Sequence, residues 1–228
     1  MRQLAIGDIH GCLNLFEGLL EQMQFSKNDE LFLLGDYVDR GEDSKGVIDK
    51  ILEMRHNRFK INCLMGNHEQ LLLNNYYNYD PDAHHPDAAC LRSFGVRYTW
   101  NIPDKYISFF QSLPLYMTTE KYILVHAGLN FDAQDPLSDA YSLIWIRYWY
   151  ENIDKDWLNG RIILHGHTPQ TKQETERMLK QLKRIPALNL DCCAFYSNRS
   201  PTKHALCGFD MTNQKLYFQT DNRKKCWF

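Results

Sequence analysis

Four short clusters in this chain set hard-metal ligands beside glycine: Gly7-Asp8-Ile9-His10-Gly11, Gly35-Asp36-Tyr37-Val38-Asp39-Arg40-Gly41, Gly66-Asn67-His68-Glu69 and His165-Gly166-His167-Thr168. Carboxylate, amide and imidazole donors suit Mn, Fe or Zn at a working site better than they suit thiolate-bound structural zinc. Hydrolysis of a phosphate ester needs charge neutralised on the phosphoryl oxygens and a hydroxide available at neutral pH, and two clustered cations supply both. Asp8 and His10, two residues apart, can turn toward one ion. Asp36 has two carboxylate oxygens and can bridge two. Asn67, His126 and one of His165 and His167 can complete the second. Each residue also has a plainer reading: Asp8 and Asp36 as helix N-caps, the histidines as hydrogen-bonded core residues, the glycines as ordinary turns. Several ligand clusters at successive strand ends are harder to explain that way.

The elements that must position these residues are legible as apolar runs. Leu4-Ala5-Ile6 and Leu31-Phe32-Leu33-Leu34 read as buried strands, and 59–64 as a third. Between them, Leu13, Phe16, Leu19, Leu20 and Met23 recur at helical spacing over about 12–24, and Val47, Ile48, Ile51 and Leu52 form one face of a helix that Ser44 precedes. The order β-α-β-α-β implies parallel strands with right-handed crossovers, so the first three clusters sit together at carboxyl ends. The stretch 68–118 reads as helical and irregular, with a surface loop at Asp80-Pro81-Asp82-Ala83-His84-His85-Pro86 whose histidines read as solvated. Strands are expected at 122–125, ending at His126, and at 162–164, ending at the last cluster. A solvated helix or excursion is expected over 171–184, then strands near 185–192, 205–210 and 215–220, with Thr212-Asn213-Gln214 turning the final hairpin.

Composition narrows the classes. With 228 residues, 44% of them hydrophobic, one domain over 1–228 is expected. The net charge of -2 gives no general drive toward nucleic acid or an anionic membrane. No run approaches the roughly 20 apolar residues of a membrane helix, and no signal-peptide core precedes Asp8. Seven cysteines without CxxC spacing suggest a reduced, cytoplasmic setting, though export without a cleavable signal is compatible with the same residues. Cys192 and Cys193 read as neighbours on a strand, pointing to opposite faces. No Cys-x5-Arg cradle of a cysteine-dependent phosphatase is present.

Gly-Asp-Ile-His-Gly, Gly-Asp-Tyr-Val-Asp-Arg-Gly and Gly-Asn-His-Glu, in this order, resemble the PPP family of metallophosphoesterases, which includes the serine/threonine protein phosphatases and small bacterial and phage enzymes. His126-Ala127-Gly128, Trp145-Ile146-Arg147 and Gly166-His167-Thr168-Pro169 are similar to the bacterial branch, and the likeness covers roughly residues 1–220. It implies an α/β calcineurin-like fold, a central β-sandwich of two mixed sheets flanked by helices. It further implies one ion held by Asp8, His10 and Asp36, and another by Asp36, Asn67, His126 and His167 in preference to His165. Manganese is the expected metal, with iron, zinc or cobalt acceptable. His68 matches the family's general acid and Asp39 the carboxylate that orients it. Arg40 and Arg147, with Asn67, match the phosphate-binding groups, and Glu69 reads as structural. The mechanism so implied is direct attack by a metal-bound hydroxide, without a phosphoenzyme. One departure stands out: Leu190-Asp191-Cys192-Cys193 replaces an Asp-Thr-Gly-like turn that borders the substrate groove.

The activity this implies is a metal-dependent phosphoprotein phosphatase acting on phosphoserine or phosphothreonine, and extending to phosphotyrosine, in protein or peptide substrates, with the chain a monomer. The alternative is a symmetrical dinucleoside polyphosphate hydrolase, whose members usually carry Asn at the position of Asp39. The intact Asp39–His68 pair therefore favours the phosphatase. A non-catalytic scaffold would have lost a ligand or His68, and neither is missing.

Overall fold

The computed structural model describes residues 1–78 and 86–221, so the expected loop with His84 and His85 lies outside the described residues. Two mixed sheets face each other. The first has the order β3-β2-β1-β8-β9 and is built from β1 (Gln3–Ile6), β2 (Glu30–Leu33), β3 (Lys60–Cys63), β8 (Leu206–Asp210) and β9 (Lys215–Gln219). β1, β2 and β3 run parallel, while β8 and β9 close the edge antiparallel. The second sheet, β4-β5-β6-β7, consists of β4 (Tyr116–Thr118), β5 (Tyr122–Val125), β6 (Ile162–His165) and β7 (Ala187–Asn189). There β5, β6 and β7 are parallel and only β4 is antiparallel. β4 was not foreseen, because three residues are too few to show a period.

Side chains alternate across each strand, and that alternation sorts the core into three layers. Leu4, Ile6, Leu31 and Leu33 point outward to α1 (Leu13–Gln22), α2 (Ser44–His56), α3 (Asn67–Tyr77), α4 (Ala88–Ser93) and α5 (Asp104–Gln111). Ala5, Phe32 and Leu34 point inward and meet Tyr122, Leu124, Leu164 and Leu188 of the second sheet. Ile123, Val125 and Ile163 pack on the far side against α6 (Ala140–Trp145) and α7 (Lys155–Leu158). At roughly 1.5–3 kcal/mol for each fully buried large aliphatic side chain, these layers dominate the stabilising side of folding.

Local chemistry sets the helix starts. Asp43, not Ser44 as a preceding residue, caps α2 by accepting from Gly46 N at 2.7 Å, and Ser44 is its first residue. Cys12 occupies the cap position of α1, so Asp8 does not cap that helix, while Asp36 Oδ1 accepts from His68 N at 3.1 Å in the first turn of α3. The 171–184 stretch contains α8 (Lys172–Lys180), opened by a capping box between Thr171 and Glu174. Cys192 and Cys193 lie beyond β7 rather than on a strand. Cys193 takes the left-handed conformation, φ 55°, that the glycine of an Asp-Thr-Gly turn accommodates more easily. Among the described residues, no helix is long and apolar enough to cross a membrane.

Candidate metal centre

The carboxyl ends of β1, β2, β3, β5 and β6 deliver the clusters to one edge of the sandwich. Backbone bonds stitch the first two together: Ile9 N and His10 N donate to Asp36 O at 3.0 and 2.8 Å, and Gly11 N to Tyr37 O at 2.8 Å. Glu69, fully buried, holds the second and third. Its carboxylate accepts from Asp36 N and Tyr37 N at 2.8 Å each, from Gly66 N at 3.1 Å and from Val38 N at 3.2 Å. Glu69 is structural in this specific sense: it shapes the loop that carries Asp36.

Ten non-glycine residues have positive φ among the described residues, and five of them are His10, Asp36, Asp39, Arg40 and His167. Such conformations cost about 1–3 kcal/mol each and persist where the surroundings over-determine them. The strain is therefore concentrated on the candidate ligands. Gly166 shows the same crowding from the other side, since a Cβ there would lie 1.9 Å from Asp8 Oδ1.

The protonation pattern of the histidines indicates what the site is for. His10 donates from Nδ1 to Val38 O at 2.9 Å, His126 from Nδ1 to Leu34 O at 2.9 Å, and His167 from Nε2 to Trp145 O at 3.2 Å. A carbonyl only accepts, so each ring carries its proton on that nitrogen and turns a lone pair inward. Backbone partners of this kind fix the tautomer of metal-binding histidines. His10 Nε2 is buried with no hydrogen-bond partner, 3.5 Å from Asp36 Oδ2. His126 Nε2 and His167 Nδ1 lie 3.0 and 2.9 Å from Asn67 Oδ1, and His126 Nε2 is 3.4 Å from Asp36 Oδ1. These inward atoms are all acceptors, with no proton to share among them. A cation at each position resolves the conflict.

Electrostatics agree. Burial lowers His10 and His167 to about 3, and lowers His126 as well, so all three are neutral and able to ligate. Burial also works against the charge of Asp36, yet attraction to the imidazoles of His126, His68 and His10, in their protonated forms at low pH, outweighs it and keeps this carboxyl below its ordinary range. Asp8 is pushed well up, first by burial and then by repulsion from Asp191 and Asp36. Asp191 is itself raised to about 6, chiefly by burial. A buried focus of carboxylates of this kind favours positive charge, and the donor set fits divalent cations.

Asp8 accepts from His167 N at 3.0 Å, which ties the last cluster to the first. His165 turns elsewhere. Its Nδ1 donates to Gly166 O at 3.0 Å, its Nε2 accepts from Tyr150 Oη at 2.8 Å, and its ring packs on Trp149. His167, not His165, therefore stands with Asp36 and His126.

Beside the ligands, His68 donates from Nδ1 to Asp39 Oδ2 at 2.7 Å and aims Nε2 into a cleft of about 490 Å³, where Arg40 Nη2 approaches to 3.4 Å. Burial opposes the charge of His68, but the Asp39 bond and the Asp36 charge more than offset it and raise the group above its ordinary value. Arg147 is exposed and donates from Nη1 to His167 O at 3.1 Å. Of the three further neighbours here, only Asp87 escaped the sequence reading. Asp87 lines the cleft, caps α4 and accepts from Arg40 N; only its place before Ala88-Ala89-Cys90 hinted at a cap. Asp191 faces Asp8 electrostatically. Trp145, quoted above with Ile146 and Arg147 in the family likeness, lines the cleft.

Strand-end carboxylates and imidazoles on a two-sheet sandwich define a metallophosphoesterase. The chain belongs to the calcineurin-like phosphoesterase family, whose pattern matches residues 1–193. It is 31% identical over 147 residues to a protein of Wigglesworthia glossinidia brevipalpis named symmetrical bis(5'-nucleosyl)-tetraphosphatase, a match covering 61% of this chain and 50% of that one. A protein of the same name from Psychromonas ingrahamii is 29% identical over 190 residues, covering 81% of this chain and 64% of its own length. The chain thus spans about half to two thirds of these curated relatives. In fold it is similar to a crystal structure provisionally named a diadenosine tetraphosphatase, with TM-score 0.68, 19% identity, and coverage of 97% of this chain and 95% of that one. It is also similar to a serine/threonine phosphatase of Saccharomyces cerevisiae, with TM-score 0.61, 16% identity, and coverage of 98% and 77%.

Proposed function

We propose that this metallophosphoesterase splits dinucleoside tetraphosphates symmetrically, in preference to the phosphoprotein activity that its motifs resemble. The observation that carries the reading is the recurrence of that name among relatives aligned over as much as 81% of the chain. Asp8, His10 and Asp36 would hold one divalent ion, and Asp36, Asn67, His126 and His167 the other, with manganese the expected metal. When bound, the ions neutralise phosphoryl oxygens and make hydroxide available at neutral pH.

The chain's own residues do the rest. The planar forks of Arg40 and Arg147 grip phosphoryl oxygens on the cleft side of the centre. His68 Nε2 faces the leaving oxygen and gives it a proton, while Asp39 holds the ring in place. Water is consumed, the central P–O–P bridge breaks, and two nucleoside diphosphates leave.

The second reading, a phosphoserine or phosphothreonine phosphatase, draws on the 2.7 Å Asp39–His68 bond. An alkoxide leaving group needs a proton far more than a diphosphate does, so an intact acid pair suits ester substrates. Initial rates of chelated and then Mn-reloaded protein on diadenosine tetraphosphate and on a phosphothreonine peptide separate the two. The proposal expects ADP as the sole nucleotide product and slow release of phosphate from the peptide. The opposite preference replaces it with the phosphatase, and AMP plus ATP as products defeats the symmetrical cut.

A further inference from the structure

The cleft beside the candidate metal centre has an aromatic wall that metal-assisted hydrolysis does not use. Trp145 lines the cleft with Arg40 and His68, and its ring meets that of His167 edge-on at 6.2 Å between centroids. Tyr141 lies one helical turn earlier on α6, and residues four apart share a helix face. The two rings are nearly parallel, 17° apart with centroids 6.2 Å from each other. Tyr141 is 71% exposed, so the pair leads from the ligand His167 out to solvent. Arg147 follows on the same segment and reaches back to His167 O at 3.1 Å. A flat π-surface thus begins beside the candidate phosphate-binding groups Arg40 and Arg147.

We propose that Trp145 and Tyr141 form a stacking platform for the base of a nucleotide whose phosphates lie on Arg40, Arg147 and the metal centre. The platform rests on the nucleotide-hydrolase reading above and adds the residues that select a nucleoside. Every base has a π-face, so recognition by stacking tolerates different bases. A phosphopeptide would meet the same wall with no flat group in a fixed place. The platform accordingly separates nucleotides from small phosphoesters by binding rather than by chemistry.

The test uses Mn-loaded protein with p-nitrophenyl phosphate as reporter, and ADP and inorganic phosphate as competing inhibitors. In the wild type ADP should bind more tightly than phosphate. Tyr141→Ala should cut that preference roughly ten-fold, the loss expected of one stacked base, and Tyr141→Phe should restore it. With diadenosine tetraphosphate the alanine variant should show its loss in KM more than in kcat. Trp145→Leu should reduce the ADP preference further, and its folding is checked by circular dichroism and by an unchanged urea unfolding slope. An ADP-to-phosphate preference unchanged in both Tyr141→Ala and Trp145→Leu would overturn the platform, as would a wild type that binds ADP no better than phosphate. Failure of the wild type to cleave diadenosine tetraphosphate, with the ADP preference present and lost on Tyr141→Ala, would overturn the hydrolase reading and leave the platform standing.

Discussion

His68 donates its Nδ1–H to Asp39 Oδ2 at 2.7 Å, and this bond joins a residue at the start of α3 to one in the loop after β2. It fixes which imidazole nitrogen faces the cleft. It also raises the affinity of His68 for a proton, against the opposing effect of burial. A raised group is protonated below its ordinary value near 6.5 and loses its proton only as pH climbs through the higher folded value. The rate with an alkyl phosphate should therefore be flat toward neutral pH and fall on the alkaline side. Asp39→Asn should move that fall to lower pH, and His68→Asn should remove it while lowering turnover about 10²–10⁴-fold. Full pH profiles on a phosphoserine peptide check this; a fall that stays in place in Asp39→Asn would deny the pair its role.

Asp36 is common to both candidate ion positions, its oxygens 3.5 Å from His10 Nε2 and 3.4 Å from His126 Nε2. Asp36→Asn should lose metal and activity together. Metal content after gel filtration, measured beside activity, checks it. Two tightly retained ions in the variant would contradict a bridging position.

Gly166→Ala places a methyl group 1.9 Å from Asp8 Oδ1 by the geometry of the wild-type backbone. The β6 end is packed and cannot yield, so Asp8 should be displaced. We expect metal affinity to fall at least ten-fold with the fold retained, read by titration of the apo protein with Mn and by circular dichroism.

Glu69→Ala strands four buried backbone N–H groups, those of Asp36, Tyr37, Val38 and Gly66. An unsatisfied buried donor costs about 1–3 kcal/mol, and water entering the vacated space offsets part of the total. A loss of about 3–5 kcal/mol in urea unfolding is expected. A change under 1 kcal/mol would show that the loop does not depend on this carboxylate.

Cys193 holds φ 55° beside the candidate site. Left-handed backbone costs a non-glycine residue about 1–2 kcal/mol, and glycine gives back part of that gain as extra freedom in the unfolded chain. Cys193→Gly should stabilise the protein by about 0.5–1 kcal/mol, seen as a higher urea midpoint with an unchanged slope.

Much of this protein was legible in its residues. Apolar runs of strand length ending in glycine, with Asp, Asn or His next in line, located β1, β2, β3, β5 and β6 and the candidate ligands at their ends. That worked because strand periodicity and ligand chemistry are both local properties. What depended on non-local packing was not readable. The residues alone left His165 and His167 open, and only the family likeness preferred His167, which the structure places with Asp36 and His126. The pleat puts His165 on the same face as Ile163, in the outer layer with Trp149 and Tyr150, while Gly166 and the positive φ of His167 swing the second ring toward Asp36. Asp87 reaches the cleft from a distant segment, brought there by helix packing. The amino-acid sequence by itself determined which groups can bind metal and where the strands that carry them stop. Only the tertiary structure decided which lone pairs converge, because convergence is set by how two sheets stack and not by any spacing along the chain.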